Sequence, residues 1–177
     1  MNSNNNNNKF FIEIPPNISK YGVISGQAFL VGAFIAFYCK HYYLSFLSFI
    51  LYVTTMLYWR RMYQVSYIKF ADMFIAHSMI LLVTIYYAIY YFKPKYRNIW
   101  YYFILVLATV YCINEYIYYC RTAKKYNETE FNVVPLDYTN KDSEEREEEY
   151  YRVVLTHCLF LHIAPVTIYS YCALGSL

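Results

Sequence analysis

The sequence predicts an all-α fold, a polytopic membrane helix bundle with five transmembrane helices, and three observations carry that prediction. Five stretches, 22–39, 42–59, 70–92, 99–120 and 153–174, are long and mainly apolar. Each comes close to the about 20 residues that a helix rising roughly 1.5 Å per residue needs to cross a ~30 Å hydrocarbon layer. Composition agrees: 59% of residues are hydrophobic and 15% charged, whereas soluble domains carry about a quarter charged residues. Tyrosine, tryptophan and cations also collect where the apolar stretches end, as they do at a membrane interface.

Residues 1–20 precede the first stretch and include an Asn homopolymer, Asn4 to Asn8. With so little to bury they are expected to form a disordered, Asn-rich cytoplasmic tail. A cleaved signal peptide is a poor match, because the apolar run is long and bulky Phe37 and Tyr38 follow Ala36. Residues 21–120 are then expected to hold four transmembrane helices. The first of these carries three of the four glycines: Gly22 and Gly26 are four apart, and Ala28, Gly32 and Ala36 repeat that spacing further along. Small residues so spaced let helix backbones approach closely in lipid, so this is a packing helix. Its partner is either another span of the same chain or a second copy of the protein.

Only Lys40 and His41 interrupt the apolar run from Gly22 to Trp59. One helix of that length would be roughly 57 Å, nearly twice the hydrocarbon thickness, so a helical hairpin is expected to turn there. The second span ends at Trp59, Arg60 and Arg61, and the third at Phe92, Lys93 and Pro94. Sorted by side, the N-terminal tail, the second loop and the start of the fourth loop contribute Lys9, Lys20, Arg60, Arg61, Lys69, Arg121, Lys124 and Lys125. The opposite side contributes Lys40, Lys93, Lys95 and Arg97. The excess predicts a cytoplasmic N-terminus. Which membrane holds the chain is not written in these residues.

Residues 121–152 are read as an acidic cytoplasmic loop with a helical second half. Asp142 or Ser143 can cap that helix, Glu145 takes the capping-box position after Asp142, and Glu144 falls in the first turn, where the helix dipole favours anions. The fifth transmembrane helix and the C-terminus take 153–177. The acidic run Glu144 to Glu149 reads as a solvated face.

Polar groups inside the spans are expensive, about 2.5 to 3.5 kcal/mol for a central charge on insertion scales. Counting from each span's midpoint puts His77, Glu115 and His157 roughly 6 to 9 Å to the cytoplasmic side. Gln27, Thr54 and Thr55 fall at similar depth, with Asn114 beside Glu115, His162 nearer the midplane and Asp72 near the boundary. One connected polar layer is therefore expected. It can act as interhelical glue, as a metal site with His77, His157 and His162 as ligands and Glu115 as ligand or catalytic base, or as a proton path. His157 and His162 are five residues apart, about 140° around an ideal helix. Pro165 leaves the Leu161 carbonyl without its helical partner, and a π-type bulge there could bring the two together.

The five cysteines show no CxxC spacing and lie in or beside apolar segments, where a thiol behaves as a small hydrophobe. No GxSxG, HExxH, phosphate-binding glycine loop or dinucleotide fingerprint is present, so no cofactor is named by a motif. The net charge of +3 is scattered between spans, which argues against nucleic acid. The expected function is that of an integral multi-pass membrane protein with a scaffold, adaptor or assembly role. A membrane-embedded metal-dependent lipid hydrolase is the alternative, and a proton or ion pathway comes third. Expected partners are the lipid bilayer and either a homo-oligomer or another membrane protein.

Overall fold

A computed structural model describes residues 16–60, 67–118 and 144–177, with side chains described throughout except at 16, 115, 118 and 144–150. Of these residues 94% are helical and none is in a strand. Five helices are long and apolar enough to cross a membrane. They are α1 (Pro16–Tyr38), α2 (Tyr42–Arg60), α3 (Tyr67–Tyr90), α4 (Pro94–Tyr118) and α5, which runs from Glu144 to Ser176. Two of them change gauge on the way. In α3 the stretch Val83–Tyr87 is a π-helix, and in α5 so is Cys158–Ile163.

The helix ends follow local chemistry. Pro16 and Pro94 take the first helical position, where a missing N–H costs nothing and the fixed φ is already helical. Pro94 starts α4 five residues before the apolar stretch itself, with the Lys93 carbonyl accepting from the amides of Tyr96 and Arg97. Helix α1 stops in a Schellman turn: the His41 amide donates to the Ala36 carbonyl and the Lys40 amide to Phe37. Lys40 takes the left-handed position at φ 63°, and α2 begins two residues later. The hairpin thus turns at Lys40 and His41.

Helix α1 also takes in residues 16–20, expected to belong to the disordered tail. Ile18 is fully buried there, in a cluster with Trp59, Val153 and Val154, so the start of α5 gives this end of α1 a surface to fold on. The rest of the tail lies outside the described residues, as do the cap candidates Asp142 and Ser143, Arg61, and the loop up to Glu144. Lys69, counted above with the loop cations, sits inside α3 and is buried.

Helices α1 and α2 form the most extensive pairing. Gly22 is pressed against the Trp59 indole and Gly26 against Thr55 and Met56, while Gly32 sits between Ser48 of α2 and Val166 of α5. Ala36 is fully buried and Ala28 half-buried. A second, larger cluster at the other end gathers Ala36, Leu44, Tyr87, Trp100, Tyr169 and Cys172. The surface is apolar: Phe34, Phe46, Phe74 and Leu105 are all well exposed, while Ser48, Thr55, Asp72 and His162 are buried. This inside-out distribution suits a lipid environment, since soluble monomers rarely show contiguous apolar patches beyond a few hundred Å².

Candidate functional site

The polar residues expected in one layer are found in separate groups. Between α2 and α3, the Thr55 hydroxyl donates to Asp72 at 2.6 Å and the Thr54 hydroxyl to the same oxygen at 2.9 Å. Between α4 and α5, the Arg152 guanidinium donates to Asn114. Gln27 is exposed, its amide reaching the Val23 carbonyl and the Met56 sulfur. His77 is exposed too, bonded within its own helix to the Met73 carbonyl at 2.6 Å. Depth was the basis for grouping His77 with His157, but its azimuth on α3 turns it outward. The Glu115 side chain lies outside the described residues.

The π segment of α5 does bring the other two histidines together. In it the Ala164 amide bonds back to Leu159, five residues earlier, so residues five apart come near one face. The rings of His157 and His162 lie edge to face with centroids 4.9 Å apart. Trp59 of α2 meets both, at 5.3 Å from His157 and 5.8 Å from His162. From α1, the Ser25 hydroxyl lies 2.7 Å from His162 Nδ1, and the Phe29 ring stands edge-on to His162 at 5.1 Å. Ser25 also donates weakly to the Gly22 carbonyl at 3.3 Å. Among the described residues no three His, Cys, Asp or Glu side chains come together as a metal ion would need. Two imidazoles fall short of the three protein ligands of a catalytic zinc.

Deeper in the bundle an apolar cavity of about 60 Å³ is lined from all five helices, among them by Phe29, Leu51, Met79, Trp100 and Val166. Phe29 belongs to both the cavity wall and the histidine cluster. Beyond the cavity, at the α1–α2 turn, His41 Nδ1 lies 2.7 Å from the Tyr169 hydroxyl, and the His41 ring packs on Tyr87 and Tyr91. Burial holds that imidazole below its ordinary value of 6.5. Trp100 of α4 donates to Thr84 in the π segment of α3 at 3.1 Å.

Sequence reasoning singled out neither Ser25 nor His41 as an interior contact. The signal for Ser25 was its place on the small-residue stripe, three residues after Gly22. His41 carried none, because a histidine in a short turn reads as a loop residue. No protein-family model, curated protein or solved structure matches this chain.

Proposed function

We propose that this chain is a multi-pass integral membrane protein with a cytoplasmic N-terminus and a scaffold or assembly role. The observation that supports this reading is how the interior polar groups are spent. Thr54 and Thr55 are bonded to Asp72, Ser48 to the Phe29 carbonyl at 2.7 Å, Ser45 to the Ala33 carbonyl at 2.8 Å, and Trp100 to Thr84. Each bond joins two helices, and pairs of this kind contribute roughly 0.6 to 2 kcal/mol in a membrane. A bundle held by such ties offers the bilayer and neighbouring membrane proteins a fixed shape. The proton path rests on Glu115 beside the histidines, and the Glu115 side chain lies outside the described residues.

The metal-dependent hydrolase remains as a second reading because the π segment sets His157 beside His162. Metal analysis of detergent-purified protein separates the two. The scaffold reading expects no stoichiometric zinc, with loss of stability but no other change in Thr55→Val. About one zinc per chain, lost in His157→Ala, would overturn it in favour of the hydrolase.

A further inference from the structure

The glycines of α1 face inward, on Trp59, Met56 and Ser48, so they serve the fold of one chain. The opposite face of the same helix is left open: Ile24, Gln27, Val31, Phe34 and Tyr38 are all exposed, at steps of three, four, three and four residues. Steps of that kind make the narrow seam along which two helices supercoil. The seam starts at Ile24, since Lys20 one turn earlier directs its ammonium over the Tyr21 ring, 5.3 Å from its centroid. One seam position is polar. Gln27 is the eleventh of the 22 residues in its span, far from either end, where lipid supplies no hydrogen-bonding partner. Its Nε2 reaches only the Met56 sulfur at 3.2 Å and the Val23 carbonyl at 3.4 Å, an oxygen that the α-helix already uses. Its Oε1 accepts no hydrogen bond among the described residues. Exposed polar side chains on other spans turn back onto their own helix. His77 Nδ1 lies 2.6 Å from the Met73 carbonyl, and the Thr109 and Thr167 hydroxyls donate at 2.9 Å to the carbonyls of Leu105 and Ile163.

We propose that two copies of this chain pair in the membrane along the exposed face of α1, the carboxamide of Gln27 in each copy exchanging hydrogen bonds with Gln27 of the partner subunit. Copies inserted with the same orientation are related by a two-fold axis along the membrane normal, so a seam residue meets its own counterpart at its own depth. A carboxamide suits that axis because it both donates and accepts. Apolar side chains alone give no preference for a helix over a lipid tail, whereas an amide pair does, and Ile24, Val31 and Phe34 then pack around it. A single polar residue in an apolar seam also fixes the register of the two helices. The inference rests on the membrane placement and assembly role proposed above, and it makes a second copy the partner.

The test uses the full chain in phosphatidylcholine vesicles, diluted with lipid until random collisions are rare. Disulfide cross-linking is read against the unaltered chain, whose native cysteines set the baseline. Val31→Cys and Phe34→Cys, on the seam, should give a cross-linked dimer that persists on dilution. Phe74→Cys on α3 and Leu105→Cys on α4, also exposed, should stay at the baseline. Adding Gln27→Leu to Val31→Cys should weaken pairing by roughly three- to thirtyfold, the worth of one interhelical hydrogen bond in a membrane. Gln27→Asn, which keeps the carboxamide, should retain most of the dimer. Gln27→Leu should also leave the melting temperature of the detergent-dispersed chain unchanged, which separates a lost seam from a lost fold. Equal cross-linking at all four positions, cross-linking strongest at Phe74→Cys, or pairing unchanged by Gln27→Leu would overturn the inference while leaving the membrane placement intact. A chain that does not insert into the vesicles would overturn both.

Discussion

Lys40 is the one residue other than glycine with positive φ among the described residues, at 63°. The left-handed region crowds a Cβ against the following carbonyl by roughly 1 to 2 kcal/mol, and glycine avoids that cost while giving up some chain entropy. Lys40→Gly should therefore raise stability by about 0.5 to 1 kcal/mol, and Lys40→Val lower it, in detergent unfolding curves. The neighbouring His41 sets a pH dependence. Its folded value is depressed by burial among Tyr87, Tyr91 and Tyr169, so the unfolded chain takes up a proton that the folded chain resists. The stability it contributes is present above pH 6.5 and is lost as pH falls through that value toward the lower folded one. Melting temperature should be flat near pH 7 to 8 and decline below about 6.5. In His41→Gln the decline should be smaller, and an unchanged profile would assign it to other groups.

At the scale of the helix, the glycines of α1 differ in what they face. A Cβ on Gly22 would lie 1.9 Å from the Trp59 indole, a rigid ring without room to retreat. On Gly26 it would meet the Met56 methyl at 2.5 Å, the movable tip of a flexible chain, and Thr55 at 2.8 Å. On Gly32 the nearest atom is at 3.2 Å. Overpacking costs typically about 1 to 3 kcal/mol. Thermal melts should rank Gly22→Ala as the most damaging, then Gly26→Ala, then Gly32→Ala, whereas Val31→Leu, on the exposed side, should be tolerated. Equal melts for all four would leave the stripe without a packing role. The stripe was legible in the sequence because spacing alone defines it. What each glycine meets was not, since that depends on which residues of α2 and α5 stand opposite.

For the molecule as a whole, orientation is the quantity most directly open to test. Two acceptor sequons exist, at Asn17 with Ser19 and at Asn127 with Thr129. Both belong to the side that the cation excess assigns to the cytoplasm, so neither should carry glycan when the chain is made in microsomes. An endoglycosidase-sensitive mass shift, lost in Asn127→Gln, would show the orientation to be inverted.

The sequence by itself determined the all-α class, the five apolar helices and the hairpin at Lys40 and His41. These depend on hydrophobic run length and on what interrupts it, which are properties of the chain read in one dimension. It also located His77, His157 and Asp72 along their helices, because rise per residue is fixed. Azimuth was decided by the tertiary structure. His77 turns outward on α3 although counting along the spans groups it with His157, and His157 meets His162 because six residues of α5 adopt the wider π gauge. Neighbouring helices choose between α and π turns by how their side chains fit, so such a rotation is an energy of contacts. The Asp72 pair is separated from the histidine cluster by the same kind of contact: the Thr55 hydroxyl bonds to Asp72 while its methyl faces Gly26 of α1.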